Sequence, residues 1–301
     1  MEQKTLGRTG FQISRLGAGL SEIGYRLTLT EEQTAASVLN QALDSGINFL
    51  DTSACYNISE ELIGRTVAHR RSDYVLATKC GHAAGDWTGP DWTAATVTHS
   101  IDRSLRRLRT DVLDLVQLHS CGLDILKQGE VITALQQARD AGKVRYIGYS
   151  GDNEAAMWAV NSGLFDTLQT SFNLVEQKAR YGLLAAAKAQ NMGVIIKRPI
   201  ANAAWGVSSS PSGYADAYFN RAQTMLADGP LPDAPDNRIW LALGFVLAHP
   251  EVDTAILGTH NPRHMTANVA MLANERPLSA TTLNELHRRF DQHGQNWQQL
   301  T

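Results

Sequence analysis

Asp51, Tyr56, Lys79 and His119 are the side chains whose types could together move a proton onto a carbonyl oxygen. A free phenol ionises at about 10, and a neighbouring cation lowers that value by stabilising the phenolate. In the stretch FLDTSACYN, Asp51 ends an apolar run and Tyr56 follows five residues later, past a turn of small residues. Lys79 beside Tyr56 would bring its proton into the working range, and Asp51 would hold that lysine charged and oriented. His119, neutral or sharing the proton, would polarise and orient the carbonyl. These groups make a carbonyl electrophilic but include no nucleophile of their own. The missing reactant is a hydride, which points to a nicotinamide cofactor.

Such convergence requires elements that bring distant residues together. Apolar runs that read as buried parallel strands lie near Ser14–Leu20, Asn48–Asp51, Tyr74–Lys79, Val112–His119, Val144–Tyr149, Thr167–Ser171, Val194–Lys197 and Thr254–Leu257. Between them run helical patterns: Glu31–Asp44 with Thr30 as cap and Gly46 as stop, Glu60–Arg70 after Ser59, Thr93–Leu108, and Gln128–Ala141 closed by Gly142. Asn153–Asn161, Lys178–Asn191, Asp236–His249 and Pro262–Ala273 follow, and Ser279–Gln292 adds a last helix. The alternation predicts an α/β fold, a (β/α)8 TIM barrel formed by the whole chain as a single domain. A doubly wound sheet ranks second because no GxGxxG follows a first strand. An N-terminal β-hairpin is expected around Gly7-Arg8-Thr9-Gly10. Alternation along the strands puts Phe49 with Asp51, Ala77 with Lys79, and Leu115 and Gln117 with His119, so the reactive groups face the barrel mouth. The connection from Asn202 to about Asp233, with SSSPSG and DGPLPDAP, reads as a long loop on the active face, either a functional lid or disordered.

The 301-residue chain is 43% hydrophobic with a formal net charge of −3 and no Lys/Arg block, which argues against nucleic acid or an anionic membrane as partner. No apolar stretch suits a bilayer span and MEQKTLGRTG is polar where a signal peptide is apolar, so a cytoplasmic location is expected. Cys55, Cys80 and Cys121 have neither disulfide nor zinc spacing and read as reduced thiols, with Cys80 pointing outward because Lys79 points in. No metal site is expected.

DTSACY, ATK and LVQLH resemble the Asp, Tyr, Lys and His motifs of the aldo-keto reductase superfamily, in that family's order, and the likeness extends to LGRTGFQISRLGAG and GINFLDTS. The resemblance implies a barrel enzyme in which Asp51, Tyr56, Lys79 and His119 are catalytic, reducing small aldehydes or ketones with NADPH. The alternatives are an NAD-dependent sugar or alcohol dehydrogenase and a low-turnover, cofactor-binding regulatory protein on the same barrel. It also implies that Ser150 and Gln169 hold the nicotinamide carboxamide, where relatives place Asn in the position of Gly151. Gly19 and Pro199 are further cofactor candidates. After strand seven, where relatives commonly place an aromatic residue, this chain has Lys197 and Arg198, two cations that could contact the pyrophosphate or of which one could cap the strand end. Gly258, Thr259, His264 and Asn268 fall on the adenosine-phosphate segment. Gly258 and His264 stand where NADPH users often carry Lys and Arg, leaving NAD(H) open beside NADP(H), with Arg263 a substitute. Tyr25, Trp87, Trp92 and Trp205 are the expected walls of a pocket for a small carbonyl or sugar, with His82 a possible polar contact. A Schiff-base role for Lys79 is the reading from another enzyme class, opposed by the charge of Asp51. A monomer or small homo-oligomer is expected.

Overall fold

The computed structural model describes residues 1–300. Its first two strands, β1 (Gln3–Thr5) and β2 (Gln12–Ser14), pair antiparallel as the expected hairpin. The next eight are β3 (Leu16–Gly19), β4 (Phe49–Asp51), β5 (Val75–Cys80), β6 (Leu113–His119), β7 (Val144–Ser150), β8 (Thr167–Ser171), β9 (Gly193–Lys197) and β10 (Thr254–Gly258). They close into a parallel barrel in chain order, with β10 beside β3.

The strands are apolar on both faces because each face meets a different core. Inside, Phe49, Ala77, Leu115, Ile195 and Ile256 pack together with Leu6 and Ile13 of the hairpin region, which therefore plugs the N-terminal end of the barrel. Outside, Leu50, Leu76, Val116, Leu118 and Ile147 meet the helical layer. Cys80 belongs to this outer layer, and all three cysteines are free.

The helices are α1 (Ser21–Arg26), α2 (Glu32–Asp44), α3 (Ser59–Thr66), α4 (Ala94–Leu108), α5 (Leu123–Gln128), α6 (Glu130–Asp140), α7 (Asn153–Ser162), α8 (Leu183–Ala189), α9 (Asp216–Leu226), α10 (Arg238–Leu247), α11 (Pro262–Asn274) and α12 (Ala280–His293). The last is the extra helix. Among the described residues no helix is long and apolar enough to cross a membrane.

Several boundaries differ from the sequence reading. The expected Gln128–Ala141 helix is preceded by α5 and interrupted at Gly129, whose φ of 79° a right-handed helix does not admit. Lys178–Asn191 contains only the short α8 after a 3-10 turn at Lys178–Arg180. Glu60–Arg70 ends as an α-helix at Thr66 and continues as 3-10 turns. The largest correction lies in the connection after β9, which is not an unstructured loop but carries α9. Tyr218, Ala222 and Met225 bury one face of α9 at helical spacing.

Candidate active site

Barrel closure places β4, β5 and β6 side by side, with Asp51 opposite Ala77 and Lys79 opposite Gln117. Asp51 and Lys79 are both buried, and the ammonium donates to Asp51 Oδ2 at 2.5 Å and to the Thr52 carbonyl at 2.9 Å. Burial acts most strongly on Lys79 and would discharge it, but the Asp51 carboxylate together with Tyr56 and Cys55 outweighs it and raises the lysine pKa above its ordinary value. Gln169 Nε2 donates to the other oxygen of Asp51 at 2.8 Å, and Ser150 Oγ donates to Gln169 Oε1 at 3.0 Å. Gln117, also inward, lies 3.5 Å from the same Asp51 oxygen. The result is a charged, immobilised lysine, unsuited to Schiff-base formation.

Tyr56 rides on the loop between β4 and α3, and several neighbours fix that loop. Arg103 and Arg107 of α4 donate to the carbonyls of Ala54 and Asn57 at 2.9 and 2.6 Å, bracketing the tyrosine. Below it, Ser59 Oγ donates to the Leu20 carbonyl and lies 2.8 Å from Thr52 Oγ1. Gly24 of α1 passes so close that a Cβ there would sit 2.2 Å from the Tyr56 carbonyl. The Lys79 ammonium consequently lies 5.1 Å from the centroid of the Tyr56 ring. Burial pushes the Tyr56 hydroxyl up to about 12, with Lys79 pulling it down and Asp51 opposing the lysine. The expected cationic influence is therefore present but outweighed, and Tyr56 keeps its proton at neutral pH.

The imidazole of His119 stands edge-on to Tyr56, with centroids 5.5 Å apart and planes at 80°. Its Nδ1 lies 3.2 Å from Ser53 Oγ and 3.3 Å from Cys55 Sγ. Burial pulls its pKa well below the usual histidine range, and Lys79 adds to the effect, so the ring is neutral. A phenol donor, a fixed ammonium and a neutral imidazole at one mouth can bind and polarise a carbonyl oxygen.

Around this centre the nominated aromatic residues separate. Tyr25, 60% exposed, donates to the Cys55 carbonyl with its ring 5.9 Å from that of Tyr56. Trp92 packs 4.7 Å from His82, whose ring lies 5.5 Å from that of His119. His82 Nδ1 lies 2.7 Å from Asp91 and its Nε2 donates to the His119 carbonyl at 3.0 Å. Trp87, in contrast, stacks on His99 and donates to Thr96, which directs it towards α4. Trp205 is buried in the outer core.

On the opposite side of the mouth, Lys197 lies 2.9 Å from Asp152, which also receives Thr170 Oγ1 and the Ser171 amide. Arg198 donates to the Leu300 carbonyl and lies under the Tyr214 ring, so both cations have partners within the chain. Asn153 turns to Gln299 of the C-terminal tail. At Gly151 a Cβ would meet the Tyr149 hydroxyl at 2.4 Å, and that hydroxyl is committed to the Cys121 carbonyl. Gly19 and Gly258 are neighbours across β3 and β10. Thr259 Oγ1 lies 3.4 Å from His264 Nδ1, and the buried Asn268 stands one turn further along α11. Pro199 is buried beside Arg198.

Sequence reasoning passed over Ser53 and Gln299 as site residues. Ser53 shares the strand-end turn with Asp51, which is a usable signal. Nothing in WQQL signals that Gln299 reaches Asp152 and Ser171.

The aldo/keto reductase family model matches residues 15–212, a span that contains Asp51, Tyr56, Lys79 and His119. The chain belongs to the aldo/keto reductase family. This aldo-keto reductase is 29% identical over 300 residues to L-galactose dehydrogenase of Arabidopsis thaliana, covering 95% of this chain and 93% of the relative. It is 31% identical to the uncharacterized oxidoreductase YrpG of Bacillus subtilis, over 86% and 87% of the two chains. Among solved structures, the holo form of aldo-keto reductase AKR11C1 from Bacillus halodurans superposes with a TM-score of 0.79 at 25% identity, over 96% of both chains. The protein is thus an oxidoreductase of this family, whose members use nicotinamide cofactors. Just beyond β9 one donor is left for such a polyanion: Asn202 Nδ2 is buried without a partner, whereas Lys197 and Arg198 are held by Asp152 and the Leu300 carbonyl.

Proposed function

We propose that this protein transfers a hydride from NADPH to a small aldehyde or ketone, with Tyr56 as general acid. The observation that carries the reading is the convergence of Tyr56, the Asp51–Lys79 ion pair and neutral His119 at one mouth. A bound nicotinamide supplies the hydride. Tyr56 donates the proton that the resulting alkoxide needs, and a phenol protonated up to about 12 is always charged with it at neutral pH. The Lys79 ammonium stabilises the phenolate left behind, and Asp51 keeps that ammonium in place. His119 orients the carbonyl without competing for the proton. Tyr25 and Trp92 form the outer wall for the substrate.

Ser150 and Gln169 are proposed to hold the carboxamide end of the cofactor, and Gly19, Lys197, Arg198, Pro199 and Asn202 its middle. Gly258, Thr259, His264 and Asn268 would take the adenosine end, with exposed Arg263 available for a 2′-phosphate. A second reading, an NAD-dependent sugar dehydrogenase, draws on the similarity to L-galactose dehydrogenase. Separate titrations with NADPH and NADH, followed by turnover of 4-nitrobenzaldehyde, decide between the cofactors. Tyr56→Phe is expected to lower turnover by about 10²–10⁴-fold while NADPH still binds. Full activity in that variant removes Tyr56 from the mechanism.

A further inference from the structure

We propose that Ser53, supported by Cys55, is a positioning residue that holds His119 in the tautomer with its proton on Nε2. Ser53 is buried, two residues beyond Asp51 on the same strand-end turn, so water does not compete for its hydroxyl. Its Oγ lies 3.2 Å from His119 Nδ1 and 3.2 Å from Cys55 Sγ, and it accepts the Cys55 amide at 3.4 Å. The Cys55 thiol lies 3.3 Å from the same imidazole nitrogen.

Hydrogen-bond inventory decides the direction of these contacts. Nδ1 of a neutral imidazole is either a donor or an acceptor, and its role sets the state of Nε2. With Nδ1 as acceptor, its one lone pair takes the serine O–H, and the two lone pairs of Oγ take the thiol S–H and the backbone amide. Every donor then has a partner. With a proton on Nδ1, Oγ accepts it beside the backbone amide, the serine hydrogen is left with thiol sulfur, a weak acceptor, and the S–H finds no free lone pair on Oγ or Nδ1. Around the buried Ser53 hydroxyl this second arrangement is the costlier one. Nε2 is therefore the only ring donor, as the polarisation of a substrate oxygen requires.

The kinetic consequence rests on the carbonyl-reduction reading, but the tautomer itself is measurable without substrate. The holoprotein with NADPH, labelled with ¹⁵N-histidine, gives the tautomer of each ring through long-range proton–nitrogen correlations, and His119→Gln assigns the signal. The expected pattern is protonated Nε2 and bare Nδ1, lost towards a mixture in Ser53→Ala/Cys55→Ala. Ser53→Ala alone should lower kcat for 4-nitrobenzaldehyde roughly three- to tenfold, the scale of one neutral hydrogen bond, with NADPH affinity unchanged. Ser53→Cys, which retains a donor, should recover most of the loss. A proton on Nδ1 in the unaltered protein overturns the inference, as does an unchanged tautomer in the double variant. Should the double variant not fold, the unaltered protein and Ser53→Ala read separately still decide.

Discussion

Asp51 and Lys79 meet at 2.5 Å with neither side chain open to solvent. A buried pair of this kind is costly to break from one side, because the remaining charge stays desolvated. Asp51→Ala should therefore lose about 3–5 kcal/mol of stability, together with activity. Lys79→Met/Asp51→Leu, which removes both charges, should recover most of the stability and none of the turnover. Denaturant unfolding and the aldehyde assay, run on the same samples, separate the two effects.

The raised pKa of Tyr56 fixes the sign of a pH effect. An acid that keeps its proton up to about 12 should leave the rate of reduction level through neutral and mildly alkaline pH, falling only as the pH approaches that value. By linkage, the same displacement contributes stability that is complete below the unfolded phenol value of about 10 and is lost as pH rises towards the folded one. A reductive pH profile breaking near neutrality, and unchanged in form in a variant lacking the His119 ring, would contradict the assignment.

Gly24 sets local preference against tertiary packing. Within a helix, alanine is favoured over glycine by roughly 0.5–1 kcal/mol. Here a Cβ would lie 2.2 Å from the Tyr56 carbonyl and 2.8 Å from Ser59 Cβ. Gly24→Ala should instead destabilise by about 1–3 kcal/mol and lower kcat by displacing the tyrosine loop. A melting temperature at or above that of the parent would show that the loop yields without cost.

Loss of the clamp above the same loop should act on rate more than on fold. Arg103→Met removes the donor to the Ala54 carbonyl. It is expected to reduce kcat several-fold with little change in NADPH affinity, measurable by fluorescence titration.

A remote pair is expected to contribute to acid stability. His249 and His287 face each other with Nε2 atoms 3.2 Å apart, and burial pulls His287 down to about 4. A depressed histidine value means that its stabilising contribution is complete above the unfolded value of about 6.5 and is lost as pH falls through about 4. His287→Phe should flatten this acid limb of a melting-temperature profile, worth about 1–2 kcal/mol after solvent screening of the half-exposed ring.

The barrel and its centre were legible because their signals are local and periodic. The apolar runs ending in Asp51, Lys79 and His119 show both the strands and the inward face, and closure in chain order makes three successive strand ends neighbours. Helix boundaries were less legible where Gly129 breaks a continuous apolar pattern, or where α9 lies between turn-rich segments. Of the aromatic residues, composition marked four alike, yet only Tyr25 and Trp92 flank the reactive groups. Side-chain direction from a loop depends on what the loop packs against, as Trp87 on His99 illustrates.

The sequence by itself determined the eight-strand alternation, the residues at the strand ends and the kinship to aldo-keto reductases. Only the tertiary structure decided the protonation of Tyr56, because burial outweighs the influence of Lys79 and burial is a property of the packed surroundings. It also decided that Lys197 and Arg198 are paired with Asp152 and the C-terminal tail. Those contacts join residues far apart in the chain, and only the closed barrel brings them within reach.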